Sequence, residues 1–143
     1  CPNENLLIID AGSAITYGFV SEAGEYLGGN IAPGLKMRLT ILQRMTKKLP
    51  LVEVDENELI PLFGKNTRDA IAAGVVRGVA YEVKGYMRTL REKVPHFQTY
   101  LTGGHASYIL NNVRTSRTEN RAMHHEKYLV LIGLNEILRF NKQ

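Results

Sequence analysis

Leu6-Leu7-Ile8-Ile9 is a continuous β-prone run that stops at Asp10-Ala11-Gly12-Ser13, and a second run starts at once, from Ala14 to about Val20. A turn this short sends the chain back antiparallel to itself, so the two runs must be neighbours in a sheet. Ala23-Gly24 makes another tight turn into a third run, Tyr26-Leu27-Gly28-Gly29-Asn30-Ile31. The three together read as a meander. The first run shows no alternation, which predicts a strand buried on both faces.

Helical signals follow. Pro33 suits the first turn of a helix, where its missing N–H costs nothing. Leu35, Leu39, Leu42 and Leu49 recur at helical spacing, so a helix is predicted over 33–48, stopped by Leu49-Pro50. Residues 51–61 are acidic and irregular, as expected of an excursion over the surface. Asn66 with Asp69 three residues on makes an N-cap arrangement, and the helix it opens is predicted to run to Lys93, before Pro95. One face of that helix carries Thr67, Ile71, Gly74, Gly78, Tyr81 and Gly85. Each interior glycine costs about 1 kcal/mol against alanine. Three on one face imply either close approach by another helix or strand, or tight packing inside the domain. A strand is predicted over 97–101, ending at Thr102-Gly103-Gly104. A helix over 106–113, a polar loop over 114–121 and an amphipathic helix over 128–140 complete the chain. No repeat or internal boundary is visible, so residues 1–143 read as one α/β domain.

With 143 residues, 44% of them apolar, the chain can bury a real core. Its longest apolar stretches are far shorter than the ~20 residues of a membrane span, so no membrane partner is expected. Net charge is +4, concentrated in Lys36, Arg38, Arg44, Lys47 and Lys48. That patch suits nucleic acid or phosphate, but the leucines interleaved at helical spacing make it the wet face of an amphipathic helix. No nucleic-acid partner is expected. The single cysteine makes no internal disulfide, and the opening Cys1-Pro2-Asn3-Glu4-Asn5 has no signal-peptide character. Both favour a cytoplasmic setting. Cys1 reads as a fraying end or a reactive thiol, and an opening without methionine reads as a fragment of a longer parent.

The strand–turn–strand segment carries the strongest chemical signal. An aspartate at a strand end, Asp10, can hold a cation near phosphates. Gly12 lets backbone N–H groups approach an anion, and the Ser13 hydroxyl can donate to a phosphate oxygen. Gly103-Gly104, closing one strand and opening a helix, can accept the flat face of a nucleotide base, or can simply turn the chain. Gly28-Gly29 and Pro33-Gly34 carry the same ambiguity. Gly64-Lys65-Asn66-Thr67 lacks the spacing of a phosphate loop, although Thr67 can present a hydroxyl at a helix start. His96, His105, His124 and His125 have no metal-ligand spacing and read as surface histidines. No residue identifies itself as a general base.

Taken in order, the segments resemble the C-terminal half of type III pantothenate kinases, members of the actin, sugar-kinase and Hsp70-like ATPase superfamily. The matching stretches run from Ile9 to Tyr17, from Gly28 to Leu35, from Leu49 to Val52, from Gly64 to Thr67, from Tyr100 to Gly104 and from Leu129 to Asn135. The resemblance implies a ribonuclease H-like (actin-like ATPase) fold, with a mixed five-stranded sheet flanked by helices. It implies a parent that phosphorylates pantothenate with ATP, the first step of coenzyme A biosynthesis, using Mg2+ and a monovalent cation, potassium or ammonium. The glycine face of the 67–93 helix, for its part, predicts that the parent is a homodimer with that helix at its two-fold interface. By matching positions, Asp10 falls on the family's monovalent-cation site, Ser13 with Gly12, Gly103 and Gly104 on its ATP site, and Thr67 on its pantothenate site.

The family's N-terminal lobe, with a phosphate loop of the Asp-x-Gly-Asn-Thr kind and a Gly-x-Asp-Arg segment bearing the proposed base, has no counterpart in this sequence. The catalytic base is therefore expected upstream of Cys1, and the chain alone is expected to be inactive. Three departures stand out: Ser13 in place of threonine, Gly18 where relatives often carry an acid, and His105 where an aspartate is common. They leave two alternatives open, a kinase-like regulatory or accessory protein and a kinase of another small molecule on the same fold.

Overall fold

The structure is a computed structural model that describes residues 3–113 and 123–140. Cys1 and the expected 114–121 loop lie outside the described residues. Strands β1 (Leu6–Ala11), β2 (Ala14–Val20) and β3 (Tyr26–Pro33) form the expected antiparallel meander, with Ile9 opposite Tyr17 and Asp10 opposite Thr16. The chain then makes α1 (Leu35–Met45) and α2 (Thr67–Lys93) before β4 (Gln98–Thr102) returns parallel to β1, pairing Ile9 with Leu101 and Asp10 with Thr102. Helix α3 (Ala106–Val113), strand β5 (Met123–His125) and helix α4 (Leu129–Phe140) follow, and β5 runs parallel to β4. The sheet order is β3-β2-β1-β4-β5.

The local signals explain most boundaries. Asn66 caps α2 by accepting from the Asp69 N–H at 2.9 Å, and the Val94 N–H closes its end on Leu90 O at 2.7 Å. Helix α1 is shorter than predicted, because Pro33 finishes β3 and Gly34 is the N-cap. Strand β4 sits one residue later than predicted.

Strand β1 is not buried on both faces as its composition suggested. Leu7, Ile9 and Ala11 are buried, whereas Leu6, Ile8 and Asp10 are half-buried. Helices α2 and α3 both pack on the first face, where Val79, Val83, Ile109 and Val113 meet Ile9 and Leu101. A side chain fully buried in such a layer contributes about 1.5–3 kcal/mol.

A second cluster joins Leu35 and Leu39 of α1 to Ile71, Val75 and Val76 of α2, with Val52 and Ile60 from the segment between the helices. That segment is therefore not a free excursion: two of its apolar residues are driven into the core. Arg77 fastens it further, donating to Ile60 O at 2.6 Å and to Pro61 O at 2.5 Å. Arg68 bonds the Glu58 carboxylate and the Glu53 carbonyl. Helix α4 is the opposite case. Its Val130, Leu131, Ile132, Leu134, Ile137 and Leu138 are all exposed. No described helix is long and apolar enough to cross a membrane.

Candidate functional site

Because β1 and β4 are parallel, their C-terminal ends lie at one edge of the sheet, the usual place for ligands in open α/β folds. The chain leaves β1 through Gly12-Ser13 and leaves β4 through Gly103-Gly104, so two turns about 90 residues apart are brought together. The contact is close. Gly103 has φ +94°, and a Cβ there would stand 2.5 Å from Asp10 Oδ1 and 2.6 Å from the Ala11 carbonyl. Only glycine combines that backbone angle with that approach.

Three successive carbonyls of the first turn are held from different directions. Ala11 O accepts from the His105 N–H at 2.9 Å, Gly12 O lies 3.2 Å from His105 Nδ1, and Ser13 O accepts from the Gly34 N–H at 3.0 Å. Gly34 is also obligatory, since a Cβ would come within 2.2 Å of Ser13 O. This leaves Asp10 half-buried at the corner, Gly12 half-buried, and Ser13 exposed. Gly104 is exposed as well, with nothing within 4 Å of where a Cβ would be. Asp10, Gly12, Ser13, Gly103 and Gly104 thus lie on the two turns that meet at this corner, with Ser13 and Gly104 exposed. Among the described residues no group of three or more His, Cys, Asp or Glu gathers to hold a metal ion.

Beside the corner, between α1, the 51–54 segment and α3, lies a cavity of about 300 Å³ lined by Lys36, Thr40, Glu53, His105 and Tyr108 among others. Thr67 is elsewhere. It is exposed at the start of α2 and lines an open, mainly apolar groove of about 650 Å³ with Arg38, Ile41, Leu42, Ile71 and Gly74. Helix α1 supplies walls to both. On α2, Gly74, Gly78 and Gly85 meet nothing within 4 Å. At these three positions the described chain leaves open space, whereas Ile71 on the same face is buried in the second cluster.

Sequence reasoning misread two residues. Arg38, grouped with the solvated charges, is half-buried: its Nη2 donates to Glu82 Oε2 at 2.6 Å and its Nε to Pro33 O at 2.8 Å. Glu82 also accepts from the Tyr17 hydroxyl at 2.6 Å. Burial first, and then this acidic partner, push the Tyr17 phenol well above its ordinary pKa. No local signal marks Arg38, because its partner lies 44 residues away. His105 is likewise no plain surface histidine. His96, His124 and His125 are exposed as expected.

Comparison with known proteins places this geometry. A family model described as type III pantothenate kinase matches residues 1–89. The type III pantothenate kinase of Bacteroides fragilis is 41% identical over 140 residues, covering 98% of this chain and 54% of that protein. The Porphyromonas gingivalis enzyme of the same name is 43% identical over 141 residues, covering 98% and 55%. The chain thus spans about half the length of the curated relatives it matches. Among solved structures, a Campylobacter jejuni protein described as a Baf family transcriptional activator is similar at TM-score 0.65 and 26% identity, over 97% of this chain and 59% of that one. Bacillus thuringiensis ParM, solved with ATP, reaches TM-score 0.50 at 15% identity over 85% of this chain and 41% of its own, a likeness of fold alone. The five-stranded mixed sheet with its flanking helices is an actin-like ATPase fold, and the chain belongs to the type III pantothenate kinase family.

Proposed function

We propose that this chain is one lobe, the C-terminal one, of a longer cytoplasmic kinase that phosphorylates pantothenate with ATP. The observation that carries the reading is the convergence of Asp10, Gly12, Ser13 and Gly103 at one sheet edge in a chain of this family. Ser13 would donate to a phosphate oxygen, while Gly103 and the open backbone at Gly104 would take the base and ribose. A lone carboxylate suits a singly charged cation, potassium or ammonium, since a hard divalent ion asks for more oxygen ligands. Mg2+ would instead arrive on the ATP phosphates, keeping several of its waters.

Phosphoryl transfer depends on positioning and on charge stabilisation from both sides of the transferring group. The corner would supply one side, and on this reading the base comes from the other lobe. The exposed apolar length of α4 supports a partner lobe, because a helix of this composition is stable in water only when covered. Thr67 would contact pantothenate in the open groove. The bare glycines of α2 favour a two-fold contact between copies there, where one small-residue face can serve both partners.

The description of the Campylobacter jejuni structure favours a second reading, a kinase-like regulatory protein. One assay separates the two. The full-length polypeptide should form phosphopantothenate from ATP and pantothenate, and the 143-residue chain alone should form none. A full-length protein that hydrolyses or binds ATP yet never phosphorylates pantothenate would defeat the kinase reading. Turnover by the purified chain alone would defeat the one-lobe reading.

A further inference from the structure

We propose that His105 is a positioning residue: its ring Nδ1–H donates to the Gly12 carbonyl and fixes the turn that carries Asp10 and Ser13. The inference rests on the kinase-lobe reading and deepens it. Nδ1 lies 3.2 Å from Gly12 O. A carbonyl oxygen has no proton to give, so the ring must carry its hydrogen on Nδ1 at this contact. The backbone N–H of the same residue holds Ala11 O at 2.9 Å, and one residue therefore grips two successive carbonyls of the turn.

The ring is fixed from the other side too. It stands edge-on to Tyr108, with centroids 5.8 Å apart and planes at 74°. Tyr108 in turn donates its hydroxyl to Val54 O at 2.9 Å. A chain of contacts thus runs from the 51–54 segment through Tyr108 and His105 to Gly12. Besides the strand pairings of Ala11 with Ile15 and of Ala14 with Pro33, the turn is held by Gly12 N–H to Ala14 O at 3.0 Å and by Gly34 N–H to Ser13 O at 3.0 Å; only His105 holds the Gly12 carbonyl among these contacts. Without the imidazole the Gly12 carbonyl loses its side-chain restraint, and Gly12 and Ser13 can shift relative to Asp10, which its pairing with Thr16 and Thr102 keeps in place.

Two measurements decide the matter. In the 143-residue chain, ring nitrogen chemical shifts at mildly alkaline pH should show His105 as the Nδ1–H tautomer. An Nε2–H tautomer overturns the proposal outright. In the full-length polypeptide, His105→Ala should raise KM for ATP about 5- to 10-fold, the loss of roughly one hydrogen bond, with KM for pantothenate unchanged. His105→Asn, whose amide N–H can reach the same carbonyl, should restore the ATP value, and His105→Asp, which offers no donor, should not. Equal loss in the Ala and Asn variants, or a parallel rise in both KM values, overturns it. If the wild type phosphorylates no pantothenate, the kinase reading fails separately. The tautomer and the affinity of the same variants for ADP with magnesium then decide whether His105 holds the turn.

Discussion

The corner around Asp10 and the face of α2 headed by Thr67 are both built with glycines, and they use them in opposite ways. At the corner the glycines are crowded: a Cβ on Gly103 or Gly34 would collide with the Asp10–Ser13 turn at 2.5 Å and 2.2 Å. On α2, Gly74, Gly78 and Gly85 meet nothing within 4 Å. The first region is finished by the chain itself, its carbonyls held by His105, just after β4 and its diglycine turn, and by Gly34, just before α1. The second is costly to the helix and returns nothing within this fold. On the proposed reading its glycines are half of a contact between copies. The chain therefore brings a pre-formed corner, proposed to bind ligand, and, separately, an open glycine face, proposed to meet a second copy.

The largest effect is expected where the comparison is sharpest. Gly103→Ala should cost about 2–4 kcal/mol in a denaturant melt, from a positive φ and a clash with backbone that cannot move aside. Ordinary stability in that variant would mean the corner is looser than its geometry implies. Gly78→Leu should act in the opposite sense on the isolated chain, raising its stability by about 0.5–1 kcal/mol through helix propensity. In the full-length polypeptide the same change should yield monomers by sedimentation and weaken pantothenate binding. A destabilised isolated chain, or an intact dimer, would show that the face is not an interface.

The smallest effect concerns the 51–61 segment, which borders the corner's cavity and not the α2 face. Hydrogen bonding to Arg68 holds the Glu58 carboxyl below its ordinary value of 4.5. The folded pKa lies below the unfolded one, so the pair stabilises the fold above the usual carboxylate range and is lost as pH falls through the lowered value. The pair is open to solvent and screened by it, so the expected loss on acidification is small. It should disappear in Glu58→Gln when melts at neutral and acid pH are compared.

Where a local rule dictates an element, the sequence announced it. The β1–β2–β3 meander, the Asn66 cap and the span of α2, and the Gly103-Gly104 break between β4 and α3 are all set by turn residues and capping groups close in sequence. Strand β5 was not legible from its residues: three residues give no alternation to read, and its pairing with β4 is purely tertiary. The one-sided burial of β1 was hidden for a similar reason, since no residue of β1 says that α2 and α3 choose the same face. At the site, Asp10 and Gly103 each looked like an ordinary turn. What unites them is the parallel β1–β4 register, and only the order of motifs in the family resemblance hinted at it. Arg38 escaped altogether, and His105 stood out only as a departure from the family pattern, because their partners, Glu82 and Gly12, lie far away in the chain.

The central claim is that the Asp10 corner is the nucleotide and cation side of a kinase. The most direct test is the initial rate of phosphopantothenate formation by the full-length polypeptide, wild type and Asp10→Asn, over a range of potassium concentrations. The account predicts a potassium-stimulated wild type, and a variant with a raised KM for ATP and a flattened potassium response. A variant that keeps both its ATP affinity and its potassium response would contradict it.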